Sequence, residues 1–173
     1  MMRKLKISRI DFETAFELSS YETTAYLDAE TGSVLFVEDY VADQLGELFA
    51  NAVSEDIGSV LQAQTDLSDI ERQQLLNAAR IEGDADNRCR MIPKQDSRDG
   101  YEDMQEYIWS LEDEHLRELL EVAIQGSGAF RRFKDLLYRY PEAETNWFKF
   151  RDEREKRRMT DWLASQGIEP EFE

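Results

Sequence analysis

The sequence predicts an α+β fold, predominantly helical, with a small antiparallel sheet. Apolar residues recur at three- and four-residue spacing through most of the chain, as helices that cover a core require. One early pair of β-branched and aromatic stretches flanks a Gly-containing turn. Leu, Ile, Val and Phe account for 41 of 173 residues, which is above the roughly 20% below which high charge implies disorder. The length suits one domain spanning residues 1–173 with a real core.

The elements follow in order. Asp11 is placed to cap a helix running through Leu18, with Phe12, Ala15 and Phe16 on its apolar face. Residues 22–28 (ETTAYLD) and 33–38 (SVLFVE) flank Ala29-Glu30-Thr31-Gly32 and predict a hairpin over about 22–38. Val41, Leu45, Leu48 and Phe49 mark the next helix, with acids opposite. Ser68 and Glu71 fit a capping box opening a helix to about Ile81. After the polar break at 82–87, residues 88–93 read as a third strand that Pro93 ends or places on an edge. Helical faces then recur at Tyr101, Met104, Ile108 and Leu111, and at Leu116, Leu119, Leu120, Ala123 and Ile124, stopped by Gly126. Phe130, Phe133, Leu137 and Tyr140 stripe a further helix that Pro141 ends. Residues 147–150 fit either a short strand or a helix start, and a last helix runs from Glu153 to Leu163.

Charge divides the chain. There are 21 Lys and Arg against 38 Asp and Glu, a net charge of −17. From Ile10 to Glu71 there are fifteen acids and no Lys or Arg. The acidic part, 1–125, carries the whole −17, whereas the basic-aromatic part, 126–173, is neutral and holds a local +4 between Phe130 and Arg158. A protein this acidic is not a general DNA binder, and its charge steers it towards basic partners.

One Cys excludes an internal disulfide framework, and one Cys with one His leaves no zinc-type ligand set. No metal or cofactor is expected. No window is apolar enough to cross a bilayer, and the basic start lacks the apolar stretch of a signal peptide. The expectation is a cytoplasmic protein without membrane contact.

Several pieces match a known family in order along the chain. They are Tyr26-Leu27-Asp28, Thr31-Gly32 and Val34; Ile92-Pro93; the block 126–135 (GSGAFRRFKD), the most specific piece; Trp147-Phe148; and Asp161-Trp162-Leu163 with Gly167-Ile168 and Pro170. On these the sequence resembles the bacterial uncharacterised protein family numbered 0158 in the UPF series. The resemblance implies one full-length domain and carries over no activity or catalytic residue.

Two basic regions are candidate sites. In the first, Gly126 ends one helix and Ser127 caps the next, leaving the N–H groups of Gly128 and its neighbours at a helix N-terminus beside Arg131, Arg132 and Lys134. A phosphate, a nucleotide, RNA or an acidic protein patch suits such a place. The alternative is a tight helix corner whose cations pair with the chain's own acids. Basic residues in a first turn oppose the helix dipole, so no local rule asks for them. In the second region, Trp147, Lys149, Arg151, Arg154 and Arg158 interleave basic and aromatic groups, as single-strand binders do. The alternative is a ladder of ion pairs such as Asp152–Lys156 and Glu153–Arg157.

The other chemistry is sparse. His115 reads as an exposed helix residue. Cys89, between Arg88 and Arg90, reads as either a strand cysteine or a thiol of lowered pKa. No P-loop, nucleophile elbow or dinucleotide fingerprint occurs. Asp11, Glu13, Glu17, Glu22, Asp28, Glu30, Glu38, Asp39, Asp43, Glu47, Glu55 and Asp56 read as a solvated acidic face. The leading expectation is a non-enzymatic binding or regulatory domain that recognises a basic macromolecule, most simply a protein. A phosphoester-binding or -processing protein using the 126–134 region is the alternative, and a small subunit of a larger assembly, marked by an exposed Trp147 or Trp162, is a third.

Overall fold

The structure, a computed structural model, describes residues 2–18, 22–52 and 56–173. They form two compact units: unit 1 from residues 1–94 and 167–173, and unit 2 from residues 95–166. The change in charge at residue 126 therefore falls inside unit 2.

Unit 1 contains β1 (Arg3–Ile7), α1 (Arg9–Phe16), β2 (Thr23–Asp28), β3 (Val34–Glu38), α2 (Asp39–Ala50), α3 (Ile57–Gln62), α4 (Asp69–Glu82), β4 (Cys89–Met91) and β5 (Ile168–Phe172). The expected hairpin is β2–β3, and the expected third strand is β4, giving an antiparallel sheet of order β3-β2-β4. This sheet buries side chains on both faces. Leu35 and Val37 share one face, and Ala25 and Leu27 the other. The first face packs through Val37 against Val41, Leu45, Leu61, Leu75 and Ala78 of α2, α3 and α4. The Ser68–Glu71 capping box opens α4 as expected. Arg72 of α4 donates to the carbonyls of Leu61 and Gln64, closing the end of α3, a helix the sequence pattern did not reveal.

The start of the chain departs from expectation. Ser8, not Asp11, is the N-cap of α1, accepting from the Asp11 N–H, and Asp11 lies in the first turn. Residues 3–7 form β1 and pair in parallel with β5, Arg3 opposite Ile168 and Ile7 opposite Phe172. Phe12 and Phe172 bring α1 and β5 together with ring centroids 6.2 Å apart.

The turn of the hairpin is set by Gly32, at φ +80°, where an added Cβ would lie 1.9 Å from the Lys6 carbonyl oxygen of β1. From the same strand, Arg3 donates to the carbonyls of Ala29 and Glu30, both at 3.1 Å. The turn is thus packed against β1 by its backbone and tied to it by a guanidinium.

Unit 2 is four helices: α5 (Ser97–Ser110), α6 (Glu114–Ala123), α7 (Ala129–Leu137) and α8 (Pro141–Ser165). Their core joins Met104, Tyr107, Ile108, Leu116, Leu120, Ile124, Phe133, Leu137 and Trp147. Phe133 and Trp147 meet edge to face at 4.9 Å, and Tyr107 and Trp147 at 5.3 Å, geometries that aromatic quadrupoles favour. Gly100 lies inside α5 rather than before it, because an Asp96–Asp99 capping box opens the helix at Ser97, and Phe130 packs where a side chain at residue 100 would project. Pro141 stands at the first position of α8, where its missing N–H costs no helical bond. Residues 147–150 and the expected last helix are both part of this 25-residue helix.

Candidate functional site

In the 126–134 block the glycines are corner residues. Gly126 and Gly128 both adopt left-handed φ, +74° and +79°. The N-cap of α7 is Gly128, without a side-chain cap, so Ser127 does not cap the helix as the sequence suggested. Arg132 turns back across the corner. Its guanidinium donates to the carbonyls of Ala123 (2.8 Å), Ser127 (2.5 Å) and Gln125 (2.6 Å). The cation that opposes the dipole of α7 therefore lies at the C-terminus of α6, where the dipole favours positive charge. Arg131 is 3.8 Å from Asp135, one turn on, and both are exposed. Lys134 is exposed as well.

Replacing Arg132 by alanine should lower stability by about 1–2 kcal/mol, since three carbonyls lose a charged donor but gain water. Arg131→Ala should change it by less than about 0.5 kcal/mol. Urea denaturation of the two variants checks this, and equal losses would remove the corner role of Arg132.

The second basic region is also divided. Trp147 is 7% exposed and belongs to the core. Lys149 is exposed, and Arg151 lies over the Phe148 ring at 5.6 Å. Arg154 and Arg158 converge on Asp103 of α5, which is 1% exposed. Arg158 Nη1 donates to Asp103 Oδ2 at 2.8 Å and its Nη2 to Oδ1, while Arg154 Nε reaches Oδ1 at 2.9 Å. Arg154 also holds Glu106 in a bidentate pair at 2.6 and 3.0 Å. The hydrogen bond to Asp103 raises the pKa of Arg158 above the usual guanidinium value. Arg157 pairs with Asp161 at 3.9 Å.

Unit 1 has a matching node that sequence reasoning missed. Asp28, expected on a solvated face, is fully buried. Arg88 holds its two oxygens at 2.7 Å each, and Arg80 approaches to 3.3 Å. The N–H groups of Glu30 and Thr31 donate to Oδ1, closing the hairpin turn, and Arg88 reaches on to Glu30. Burial pushes the carboxyl up, but Arg88 and the two turn N–H groups outweigh it and hold Asp28 well below the ordinary carboxylate range. A depressed folded-state pKa stabilises the fold above the unfolded value of about 3.9. That contribution is lost as pH falls below about 4 towards the folded value. Stability measured from pH 6 to 2 should therefore fall less steeply in Asp28→Asn than in the parent, and parallel profiles would overturn this.

Cys89 is a buried strand cysteine. Burial raises its thiol pKa, and Asp84 and Asp28 add to the rise against the smaller effects of Arg80 and Arg88. Its arginine neighbours in sequence thus do not leave Cys89 with a lowered pKa. His115 is exposed on α6. Glu55 lies outside the described residues. Among the described acids of the 10–71 stretch, Glu13 and Glu38, expected on the solvated face, are half-buried, and Asp28 alone is buried. The others, Asp11, Glu17, Glu22, Glu30, Asp39, Asp43, Glu47, Asp56, Asp66, Asp69 and Glu71, are exposed. Asp39, Asp43 and Glu47 stand one turn apart on α2. Among the described residues no group of His, Cys, Asp and Glu gathers to hold a metal ion, and no helix is long and apolar enough to cross a membrane.

The exposed tryptophan is Trp109, at 66%, whereas Trp147 is buried and Trp162 half-buried. Unit 2 also carries a cleft of about 640 Å³ between the α5–α6 and α7–α8 corners. Tyr107 and Tyr140 line it, with Glu112, Asp113, Glu142 and Arg139. The Tyr107 hydroxyl donates to the Ala143 carbonyl at 2.5 Å, and Asp113 caps α6 by accepting from the Leu116 N–H at 3.0 Å.

A family model described as "Uncharacterised protein family (UPF0158)" matches residues 56–173. The UPF0158 protein PA5073 of Pseudomonas aeruginosa is 33% identical over 67 residues, covering 39% of this chain and 44% of that protein. The match thus spans less than half the length of this curated relative. No solved structure matches.

Proposed function

Since the chain belongs to the uncharacterised family UPF0158, which brings no activity with it, we propose from its own surface that it is a non-catalytic binding protein for a basic macromolecular partner. The observation that carries this reading is an asymmetry in how the charges of unit 1 are used. Six of its nine Lys and Arg are engaged with carbonyls or carboxylates of the unit, whereas the buried Nε of Arg90 has no hydrogen-bond partner among the described residues. Arg3 and Arg72 bind carbonyls, Arg80 and Arg88 bind Asp28, and Lys4 and Lys6 lie 3.9 Å from Glu171 and Glu173. Asp11 of α1 and Asp39, Asp43 and Glu47 of α2 face solvent, and Arg9 is the one Lys or Arg in either helix.

The ridge Asp39–Asp43–Glu47 adds to this. Like charges one turn apart destabilise a helix by a few tenths of a kcal/mol per pair, and Glu47 near the C-terminus opposes the dipole. The ridge has a cost in the free protein and a use against a cationic surface. The phosphate reading of the 126–134 block is less well supported, because Arg132 is committed to three carbonyls and Arg131 faces Asp135.

The test is fluorescence anisotropy with a labelled 20-residue Lys/Arg-rich peptide at 50 and 200 mM NaCl. Affinity should fall at least tenfold between the two, and at least fivefold in Asp39→Asn/Asp43→Asn/Glu47→Gln at 50 mM. Absence of binding at 50 mM, or salt-independent binding, would overturn the reading. So would a thermal shift by phosphate, nucleotide or short RNA that is lost in Arg131→Ala/Lys134→Ala.

A further inference from the structure

We propose that the cleft between the α5–α6 and α7–α8 corners is a seat for one guanidinium side chain of the basic partner. This rests on the reading above and adds to it a specific site in unit 2. A volume of about 640 Å³ lies within the range of ligand pockets, and its chemistry is selective. Of the two tyrosines lining it, half-buried Tyr140 is the one whose ring face is open to a ligand, since Tyr107 is 3% exposed and packed against Phe133, Trp147 and Phe150. A flat cation prefers such faces, and guanidinium more often than ammonium.

The carboxylates set the sign. Glu112, Asp113 and Glu142 stand against one cation, Arg139. Glu112 and Glu142 are exposed, and among the described residues neither has a cationic partner within 4 Å. Asp113 gives Oδ1 to the Leu116 N–H, so the helix end is capped by a group that keeps Oδ2 for another donor. A planar fork of donors suits these oxygens better than the point charge of lysine. Arg139 repels the same ligand and so marks the sign of the site: its removal strengthens binding of a cation and weakens binding of an anion.

The test uses the full chain, labelled with ¹⁵N, and a nine-residue Gly/Ser peptide with one central arginine, in 150 mM NaCl. Saturable shift changes are expected at Ser110–Asp113 and Arg139–Asn146, with no saturation by the citrulline peptide of the same sequence. Glu112→Gln/Glu142→Gln should weaken the peptide at least fivefold. Glu121→Gln/Glu153→Gln, an equal change in net charge elsewhere in unit 2, should weaken it less than twofold. Arg139→Ala should strengthen it about threefold. Shifts outside the cleft, equal losses in the two double variants, or weaker binding in Arg139→Ala would overturn the proposal. If the single-arginine peptide fails while the 20-residue basic peptide still binds through Asp39, Asp43 and Glu47, the cleft falls and the wider reading stands. If the long peptide fails and the short one titrates into the cleft, the acidic ridge falls instead.

Discussion

Gly32→Ala is expected to cost about 2–5 kcal/mol, the largest loss among glycine-to-alanine changes in this protein. Two effects combine. Gly32 has φ +80°, a conformation that costs an L-residue roughly 1–2 kcal/mol. The new Cβ would also lie 1.9 Å from the Lys6 carbonyl oxygen and 3.0 Å from its carbon, so the backbone of β1 or the turn must move, an overpacking cost of roughly 1–3 kcal/mol. Moving either strains the two bonds from Arg3 to the turn. Gly167→Ala is the matched control: its φ is +72°, but nothing lies within 4 Å of an added Cβ, so only the conformational part should be lost. Urea denaturation followed by far-UV circular dichroism measures both. Equal losses would mean that the approach of β1 does not constrain the turn.

Asp103→Ala should cost about 3 kcal/mol. The carboxylate is 1% exposed and receives three N–H donors from Arg154 and Arg158. Deleting one partner of a buried ion pair leaves charge without compensation, which typically costs 3–5 kcal/mol. The value here belongs at the low end, because the two arginine side chains remain 26% and 22% exposed and Arg154 keeps Glu106. Asp103→Asn, which preserves shape and one acceptor, should lose about half as much. Both are read by the same denaturation experiment. A loss below about 1 kcal/mol for Asp103→Ala would make the node incidental to the packing of α5 against α8.

What could be read from the sequence was what is local. The Ser68–Glu71 box, the Gly32 turn, and the apolar faces of α2, α4, α5 and α6 depend on residues within a few positions of one another, and these elements lie where spacing puts them. Partnerships across the chain were hidden. β1 and β5 are short, β5 contains Pro170, and each looks like an ordinary charged terminus until the other is beside it. α8 absorbed two separate readings because Pro141, which ends one helix pattern, also starts the next. Arg132 seemed misplaced in its own helix, and only the position of α6 explains it. Asp103 did leave a trace: a carboxylate next to the apolar stripe Met104–Ile108, with two arginines one turn apart on a later helix. Asp28 left a fainter one, as the last strand residue before a four-residue turn. The cleft in unit 2 left none, since its walls come from two separate helix corners.

The parallel pairing of β1 with β5 has a consequence for how the chain is made. Arg3 lies opposite Ile168, so β1 is synthesised some 165 residues before the strand it pairs with. At roughly 5–20 residues per second, β1 waits on the order of 10–30 s. Throughout that interval Leu5 and Ile7, 6% and 0% exposed in the folded protein, stand on an open strand edge that can pair with any neighbouring nascent chain. Arg3, Lys4 and Lys6 put positive charge along that edge, and lysine on an open strand discourages such pairing. The cations of β1 therefore suit a strand that is made long before its partner β5.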